Sequence, residues 1–504
     1  MQHLPLEELM VKYQDFRRKL KAYRFADYLI SWDSETEAPS GCFDERSQMV
    51  GVLSSESFKL MTCSDTVTLI NTLYDHRNEL DSLLSLEITK IKKELSQILK
   101  IPMDEYVKYN TLLAVSQQKW ALAKNQSDFS LFSDTLKQII AYQKKLMKYY
   151  ETAALKGYDT LLDLYEEGMT KEDYDAFFNT LKKELVPFVL EIASRKSPSS
   201  KTLIGENFSK KKQEELAKYF LNVLNFDWQR GVLKESEHPF TSGFGSTDVR
   251  VTTHYYEDNV YSNIFSVIHE GGHATYELQC DKALDETLLG GGASMAMHES
   301  QSRLYENMIA RSKKFWEMHF NKLKSTFKKQ LKDVTVDDVY YDVNRVERSF
   351  IRTEADELTY PLHIMLRYDL EKMLLEGDLS VDDLPEKWNE LMETYLGIKV
   401  SDDKNGVLQD IHWAMGSFGY FPTYAYGSAI AAQLYYYMNK EFDVEKSLEK
   451  GTTEDINAWL KEHVHKYGRT LTPNEMLIKA TNEPFNPQYY INYLKEKYSK
   501  IYNL

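Results

Sequence analysis

Two histidines and a glutamate within one short run carry the strongest chemical signal in this sequence of 504 residues. His269, Glu270 and His273 form the pattern H-E-x-x-H. Histidines four residues apart lie on one face of an α-helix, so both imidazoles can reach one zinc ion. Glu270 follows the first histidine and is placed to take the proton of a metal-bound water. The run therefore predicts a zinc hydrolase with Glu270 as its catalytic base.

The third metal ligand is less directly indicated. A catalytic zinc site takes three protein ligands and leaves the fourth position for water. The metzincin continuation x-x-G-x-x-H is excluded, because residues 274–279 read A-T-Y-E-L-Q. A carboxylate from a following helix is the alternative, and Glu299 is the best candidate, since the glycines at 290–292 can turn the chain back. From the residues alone, Glu277 and Glu286 stay open as rivals.

The H-E-x-x-H motif is expected to lie on a buried helix. Residues 263–268, directly before it, are mostly apolar, as such a helix requires. Gly271 and Gly272 lie inside the motif, although a glycine costs a helix about 1 kcal/mol relative to alanine. Their missing side chains indicate that a packed segment or a substrate approaches the helix closely at this point.

Composition and charge narrow the class of protein. The formal net charge is −15 at pH 7, which argues against nucleic-acid binding as a main function. The cysteines, Cys42, Cys63 and Cys280, form no C-x-x-C pair, so we expect no disulfide framework and a reducing, cytoplasmic location. The first residues do not form a basic start followed by an apolar run, which argues against a signal peptide. No run of about 20 apolar residues exists, so we expect no membrane span.

The elements that position these residues are predicted to be mainly α-helical. Glycine (21) and proline (12) are scarce for this length, whereas the helix-favouring Leu, Lys and Glu are abundant. Helical apolar spacing runs through residues 4–30, 43–157 and 203–224 and resumes from about residue 260. Residues 249–256 alternate with β-branched and aromatic side chains, which is the strongest strand signal. A small β element thus precedes the H-E-x-x-H helix, where a strand edge can bind a peptide backbone.

Seven short segments together carry a family resemblance. Their patterns, in chain order, are W-D-x-E-T-x-x-P, H-P-F, D-x-R-x-T, H-E-x-x-H, H-E-S-Q, I-R-x-x-A-D and G-x-x-Q-D-x-H-W. In this sequence they are Trp32–Pro39, His238–Phe240, Asp248–Thr252, His269–His273, His298–Gln301, Ile351–Asp356 and Gly406–Trp413. With these segments the chain resembles the carboxypeptidase Taq family of metallopeptidases, of the thermostable carboxypeptidase 1 type.

The resemblance implies a metal-dependent carboxypeptidase of broad specificity, which releases C-terminal residues one at a time and handles C-terminal proline poorly. It implies His269, His273 and Glu299 as metal ligands and Glu270 as catalytic base. Zinc is the expected ion, and cobalt is expected to substitute for it. The expected substrates are peptides with a free C-terminus.

The resemblance also implies a mostly helical, saddle-like homodimer with a deep substrate groove. The sequence has no internal repeat and no low-complexity linker, so residues 1–504 are expected to form a single catalytic domain. The N-terminal helices, about residues 1–200, are expected to form one wall of the groove. The catalytic motifs are expected to lie within residues 238–427.

A carboxypeptidase must recognise a free carboxylate, and the planar guanidinium of arginine does so best. Arg352 and Arg250 are the candidates, and the resemblance favours Arg352. Either arginine can instead form a structural salt bridge. For Arg352 the specific alternative is an ordinary helical pair with Asp356, four residues further on.

Other residues of the motifs are candidates for contact with substrate. Gln409 and His412 lie in a dense polar cluster, where His412 can orient a ligand carboxylate, bind substrate or be a buried structural histidine. His238 is a candidate for stabilising the oxyanion, with a structural role in its loop as the alternative. Tyr420, like Tyr424, lies in an aromatic loop and offers a hydroxyl for the same purpose.

Two rival functions are compatible with the same residues. A helical zinc endopeptidase or oligopeptidase would use the same H-E-x-x-H chemistry but would cut internal bonds, even in a peptide with an amidated C-terminus. A non-catalytic homologue acting as a binding protein is the other rival. The intact Glu270 and the intact ligand candidates argue against it, because an inactive homologue need not keep all of them.

Overall fold

The computed structural model describes residues 4–199 and 201–504 and is mainly α-helical, as predicted. The helices before the sheet are α1 (Leu6–Thr36), α2 (Phe43–Thr62), α3 (Ser64–Asp75), α4 (Ser82–Ile98), α5 (Met103–Gln126), α6 (Ser130–Tyr150), α7 (Asp159–Leu162), α8 (Lys171–Ala193) and α9 (Lys210–Val223). The strands are β1 (Gly231–Glu235), β2 (Thr241–Gly243) and β3 (Val249–Thr253). The helices after the sheet are α10 (Val260–Gln279), α11 (Met295–Arg303), α12 (Lys313–Thr326), α13 (Val336–Val343), α14 (Tyr360–Leu375), α15 (Leu384–Leu396), α16 (Pro422–Glu441), α17 (Val444–Ser447), α18 (Glu454–His463), α19 (Pro473–Thr481) and α20 (Gln488–Tyr502).

The sheet lies directly before the H-E-x-x-H helix, as the alternation in residues 249–256 predicts. Its strand order is β1-β3-β2, with β1 parallel and β2 antiparallel to β3. The central strand β3 is largely buried and packs against α10, which accounts for its β-branched residues. The predicted strand begins at the correct residue but is too long, because β3 ends at Thr253. The other two strands carry weaker sequence signals and were not predicted.

One compact unit consists of residues Met1–Ile101, Ser209–Ala293 and Thr452–Leu471. It contains α1–α4, α9, the sheet, α10 and α18. The buried core of its helical part lies between α1, α3 and α4, where apolar residues recur at helical spacing. Its buried members include Tyr13, Phe16, Leu20, Ile70, Leu73, Ile88 and Ile91. The helix α10 packs on β3 from one side and on α9 from another.

The second compact unit consists of residues Pro102–Phe208, Ser294–Gly451 and Thr472–Leu504. It contains α5–α8, α11–α17, α19 and α20. The helix α16 lies at its centre and packs against α11, α14 and α20. A π-helical turn, Leu304–Ile309, directly follows α11. Single π-turns of this kind are frequent next to functional sites.

The segments of the two units alternate along the chain, so each unit is assembled from three separate stretches. Residues 1–200 are divided between the two units. The prediction that residues 1–504 act as one catalytic domain stays a prediction. Within the described parts of the chain, no helix is both long and apolar enough to cross a membrane.

Candidate functional site

The H-E-x-x-H motif lies in the middle of the helix α10, and a helix is what the sequence predicts there. The side chain of Asn259 caps the start of this helix by accepting the backbone N–H of Ser262. The apolar residues before the motif are buried, whereas His269 and His273 are partly exposed. Their imidazole ring centroids lie 4.9 Å apart. The helix therefore presents the two imidazoles side by side, as a pair of metal ligands requires.

Glu270 is held in place by the sheet. Its side chain is buried, and the Thr241 hydroxyl lies 2.6 Å from its carboxylate Oε2 and 2.9 Å from its backbone carbonyl oxygen. Thr241 is the first residue of β2. The sequence gives one indirect signal for this contact, since Thr241 directly follows the H-P-F motif. The short strand β2 thus orients the glutamate that the motif assigns as a base.

Close packing explains one of the two glycines in the motif. A Cβ atom added at Gly271 would lie 2.7 Å from the Cδ2 atom of Leu224 and 3.1 Å from that of Leu221. The absence of a side chain therefore lets α10 approach the end of α9. Of the two reasons expected from the sequence, a packed segment is the one observed at Gly271.

The rival carboxylates for the metal differ from Glu299 in their surroundings. Glu277 accepts the backbone N–H of Gly292 at 3.1 Å, so it holds the glycine-rich turn, and Glu286 is exposed. Among the described residues, the group of His, Cys, Asp and Glu side chains suited to hold a metal ion comprises His269, His273 and Glu299. Neither rival belongs to this group.

Glu299 lies on α11, and its side chain is buried. Arg303, one turn further on, donates from Nε to Oε1 at 2.6 Å, and the Ser302 hydroxyl donates to Oε2 at 3.1 Å. Gly427 on α16 lets the two helices approach, because an added Cβ would lie only 2.8 Å from the Cβ of Glu299. The position of this carboxylate is therefore fixed both along its own helix and across the helix pair.

The beginning of α11 is held by a second buried carboxylate. Glu166 accepts the Ser294 hydroxyl at 2.8 Å and the backbone N–H of Ala296 at 3.0 Å. Burial raises the pKa of Glu166 from 4.5 to about 8, although both hydrogen bonds act in the opposite direction. Glu166 is far from α11 in the sequence, and none of the family motifs contains it.

Arg352 does not form the helical pair that the sequence offered as an alternative. It lies in a 3-10 turn, Arg352–Glu354, rather than in an α-helix, and its side chain is buried. It donates to the Asp410 carboxylate from Nε at 3.1 Å and from Nη2 at 2.8 Å, and to the Tyr360 hydroxyl from Nη1 at 2.9 Å. The Asp356 carboxylate instead accepts backbone N–H groups of its own turn, such as that of Leu358.

A second buried arginine completes this charge cluster. Arg367 on α14 is fully buried and forms an ion pair with the same Asp410. Burial raises the pKa of Asp410, but the charges of Arg352 and Arg367 outweigh it and hold the pKa well below its usual range. Two guanidinium groups and one carboxylate leave a net positive charge in a buried place, which favours an anionic partner. Arg367 lies in none of the family motifs, so it was not predicted.

The Gln409 side chain supports this arginine cluster. Its Oε1 accepts the backbone N–H of Arg352 at 2.9 Å, and its Nε2 donates to the backbone oxygens of Phe350 and Asn405 at 3.0 and 3.1 Å. Both ends of the amide are thus bonded within the protein. This geometry favours a role for Gln409 in positioning Arg352.

His412 lies in an aromatic environment. Its Nε2 lies 3.2 Å from the Tyr424 hydroxyl, and its ring lies 4.4 Å from that of Phe421 and 5.5 Å from that of Tyr420. Its Nδ1 is buried and has no hydrogen-bond partner in the described part of the chain. Burial lowers the pKa of His412 to about 4, so the ring is neutral at pH 7. It can donate or accept a hydrogen bond there but cannot supply a charge.

A buried glutamate anchors the loop that carries His412 and Tyr420. Glu371 on α14 accepts the indole N–H of Trp413 at 2.9 Å, the backbone N–H of Gly419 at 2.8 Å and the Tyr158 hydroxyl. Burial raises its pKa to about 7, against the effect of these hydrogen bonds. Trp413 is therefore a structural donor to Glu371.

Arg250 belongs to β3, and His238 lies in the segment between β1 and β2. Arg250 forms a two-bond ion pair with Asp248, with both distances 2.8 Å, and its guanidinium lies over the rings of Tyr28 and Trp32. This is the salt bridge that the sequence offered as the alternative for Arg250. His238 is exposed. Its backbone oxygen accepts the Ser236 hydroxyl at 2.6 Å.

Comparison with known proteins identifies the family. A family model for carboxypeptidase Taq (M32) metallopeptidases matches residues 12–498. Carboxypeptidase 1 of Bacillus subtilis (strain 168) is 41% identical over 491 residues, covering 97% of this chain and 98% of that protein. Thermostable carboxypeptidase 1 of Pyrococcus furiosus is 37% identical over 505 residues, covering 99% of each chain. The structure of Trypanosoma cruzi metallocarboxypeptidase 1 matches with a TM-score of 0.93 at 32% identity, covering 97% of this chain and 99% of that one.

These similarities confirm the resemblance predicted from the motifs. A metallopeptidase family implies a divalent metal ion, and a carboxypeptidase family implies peptide substrates. The chain therefore belongs to the carboxypeptidase Taq (M32) metallopeptidase family and is a metallocarboxypeptidase, a hydrolase that acts on peptide bonds.

Proposed function

We propose that this enzyme is a zinc-dependent carboxypeptidase that releases single amino acids from peptide C-termini, with broad specificity and poor action on C-terminal proline. The observation that supports this most directly is the pair of imidazoles on α10, 4.9 Å apart, next to a buried glutamate fixed by Thr241. The broad specificity and the weakness towards proline are inferred from the family.

We assign His269, His273 and Glu299 as the metal ligands. Two imidazoles and one carboxylate suit zinc, and they also suit cobalt, which we expect to substitute. When bound, the ion polarises the scissile carbonyl and makes a neighbouring water more acidic. The hydrogen bonds from Arg303 and Ser302 support this assignment, because ligand carboxylates are usually oriented by such partners.

Glu270 moves the protons in this proposal. Its carboxylate accepts a proton from the attacking water and later delivers it to the nitrogen of the leaving amino acid. The hydroxyl of Thr241 occupies one side of Oε2, which leaves the other lone pairs of the carboxylate for the water. The buried setting of Glu270 keeps bulk water away from this transfer.

The cluster of Arg352, Asp410 and Arg367 supplies positive charge for the terminal carboxylate of the substrate. Arg352 is the residue we assign to bind it, since two of its five guanidinium protons are not used by Asp410 and Tyr360. Fixing the terminal carboxylate places the last peptide bond, rather than an internal one, for attack. Gln409 contributes by holding the backbone of Arg352.

His412, Tyr420 and His238 are proposed donors to the oxyanion that forms on the scissile carbonyl. A neutral imidazole or a phenol hydroxyl can each donate one hydrogen bond to developing negative charge. The lowered pKa of His412 is compatible with this role, because the ring stays a neutral donor at pH 7. Arg250 is a weaker candidate for substrate contact, since Asp248 already engages its guanidinium through two hydrogen bonds.

The arrangement of the whole enzyme is also a proposal. We propose one catalytic domain made from both compact units, because a single family model matches residues 12–498. The deep groove and the homodimer follow from the family resemblance alone. A cytoplasmic location is supported by Cys42, Cys63 and Cys280, all of which are free thiols.

Mass spectrometry of two peptides tests the proposed function. The peptides share one sequence and differ only in a free or an amidated C-terminus, and each is incubated with zinc-loaded protein. We expect a ladder of single-residue losses from the free acid alone, because the amide offers no carboxylate to Arg352. Internal cleavage of both peptides would make the protein an endopeptidase and would remove the role given to Arg352.

A further inference from the structure

A pocket of about 430 Å³ opens between α1 and the segment that leads into β2. Its apolar wall includes Trp32, Pro239 and Phe240, and the rings of Trp32 and Phe240 meet edge to face with centroids 5.6 Å apart. Glu35, Thr241 and His238, the last a proposed oxyanion donor, also line it. The pocket therefore combines an aromatic surface with one acidic group.

Glu35 is the acidic residue that lines this pocket. Its helical neighbours are paired, since Asp33 accepts Arg46 at 2.6 Å and Glu37 forms an ion pair with Lys234. Within residues 4–199 and 201–504, no ion pair or hydrogen bond is found for the exposed Glu35 carboxylate. The guanidinium of Arg250, which lies over the ring of Trp32, is paired with Asp248. The pocket thus presents a net negative charge beside apolar rings.

The pocket ends next to the assigned base. Thr241 lines it, and the hydroxyl of the same residue lies 2.6 Å from Oε2 of Glu270. A group that enters the pocket is therefore separated from the Glu270 carboxylate by the side chain of Thr241. When a peptide binds with its scissile bond next to Glu270, the residues close to that bond can reach the pocket.

We propose that this pocket is a substrate subsite that selects a lysine or arginine among the three residues preceding the scissile bond. The aliphatic stem of such a side chain covers Pro239 and Phe240, while its charged end approaches the aromatic rings and Glu35. An acidic side chain is disfavoured at the same place by repulsion from Glu35. This inference rests on the proposed function, because it uses Glu270 as the mark of the reacting bond.

Binding of matched peptides tests the subsite. Isothermal titration calorimetry is done on zinc-loaded Glu270→Gln protein at physiological salt, so that peptides bind but stay intact. The peptides end in a free alanine and carry one lysine or one glutamate at each of the three preceding positions in turn. At one position we expect the lysine peptide to bind about threefold to tenfold more tightly than the glutamate peptide, the size of an exposed ion pair with a cation–π contact.

Variants of the pocket decide the interpretation. Glu35→Gln should abolish this preference and Glu35→Lys should reverse it, whereas Asp27→Lys should leave it unchanged. Asp27 is an exposed carboxylate on the same helix, about 12 Å away along its axis, and its change alters the net charge equally. The subsite is overturned if Glu35→Lys keeps the preference of the unaltered pocket at all three positions. Hydrolysis of the peptides during titration, detected by mass spectrometry, would instead contradict the role of Glu270.

Discussion

At the residue scale, the assigned base is oriented by a neutral hydroxyl instead of a charged partner. Thr241 makes this contact, and a strand of three residues places it there. The sequence motif predicts Glu270 because helical spacing is a local property. It does not predict Thr241, because that contact depends on how the sheet packs against α10. Arg352 is a similar case. Its motif can be recognised in the sequence, but its contacts cannot, because its partners Asp410 and Tyr360 come from other segments.

The variant Glu270→Gln tests the assignment of the base. We expect it to keep its metal and to lose at least about 100-fold in kcat, because the amide cannot accept the proton of water. Metal content by plasma mass spectrometry and kcat on a free-acid peptide are the measurements. The control is Glu286→Gln, the same chemical change at an exposed glutamate that does not belong to the metal-binding group. Near-normal turnover by Glu270→Gln would show that another group is the base.

Tyr360 joins two functional arginines. The guanidinium of Arg303 lies 4.3 Å over its ring, and its hydroxyl accepts Arg352 at 2.9 Å. We expect Tyr360→Phe to raise KM about tenfold, because it removes one hydrogen bond to a charged group, and to leave metal affinity unchanged. Tyr360→Leu removes the ring as well and should also weaken metal binding, measured by competition with a coloured chelator. If both variants changed metal affinity equally, the hydroxyl would not act on Arg352 alone, and the ring would not be the part of Tyr360 that supports the metal site.

At the scale of elements, the helices were predictable because their apolar spacing is long and regular, as α1 shows. The strand β2 was not predicted because it has only three residues. The strand β1 is as long as β3 but is only partly buried, so its sequence does not need the β-branched residues that mark β3. The close approach of α11 to α16 could not be predicted from the sequence either. It depends on Gly427 facing Glu299 across two segments that lie far apart in the sequence.

The variant Gly427→Ala tests that close approach. The new methyl group would meet the Ala296 carbonyl oxygen and the Glu299 Cβ, each at 2.8 Å, so α11 and α16 must separate. We expect a loss of about 1–3 kcal/mol in stability and metal affinity about 10-fold weaker, because the ligand carboxylate shifts. Gly51→Ala on α2 is the control, since an added Cβ there meets no atom within 4 Å. Unchanged metal affinity in Gly427→Ala would mean that this contact does not position Glu299.

Glu166 makes the stability of the α11 region depend on pH. Its pKa is raised in the folded protein, so its protonated form is favoured there. The stabilising contribution is complete below about pH 4.5 and is lost as pH rises through about 8. We expect Glu166→Gln to gain melting temperature relative to the parent protein as pH rises from 5 to 9. A difference between the two proteins that does not change with pH would contradict the raised pKa.

At the scale of the whole molecule, removal of metal is expected to lower thermal stability. An ion that binds the folded protein alone stabilises it, by about 4 kcal/mol at a concentration 1,000 times the dissociation constant. Scanning calorimetry with a chelator should therefore show a lower melting temperature, restored by zinc or cobalt. His273→Ala serves as the control and should respond to neither, because it lacks one assigned ligand. A chelator effect that persists in His273→Ala would place the stabilising ion elsewhere.

The division into compact units could not be predicted from the sequence. A boundary between domains is normally marked by a linker, and the sequence contains no low-complexity linker. The structure shows why a search for one linker fails, because three segments of one unit alternate with three of the other. Local sequence patterns predict helices well, but they do not indicate which helices, far apart in the sequence, pack into the same core.

This alternation has a consequence for protein engineering. No single stop codon, deletion or proteolytic cut can yield either unit by itself, since every contiguous fragment of the chain that completes one unit also carries part of the other. To make one unit alone, its three stretches would have to be joined by new loops in a redesigned chain.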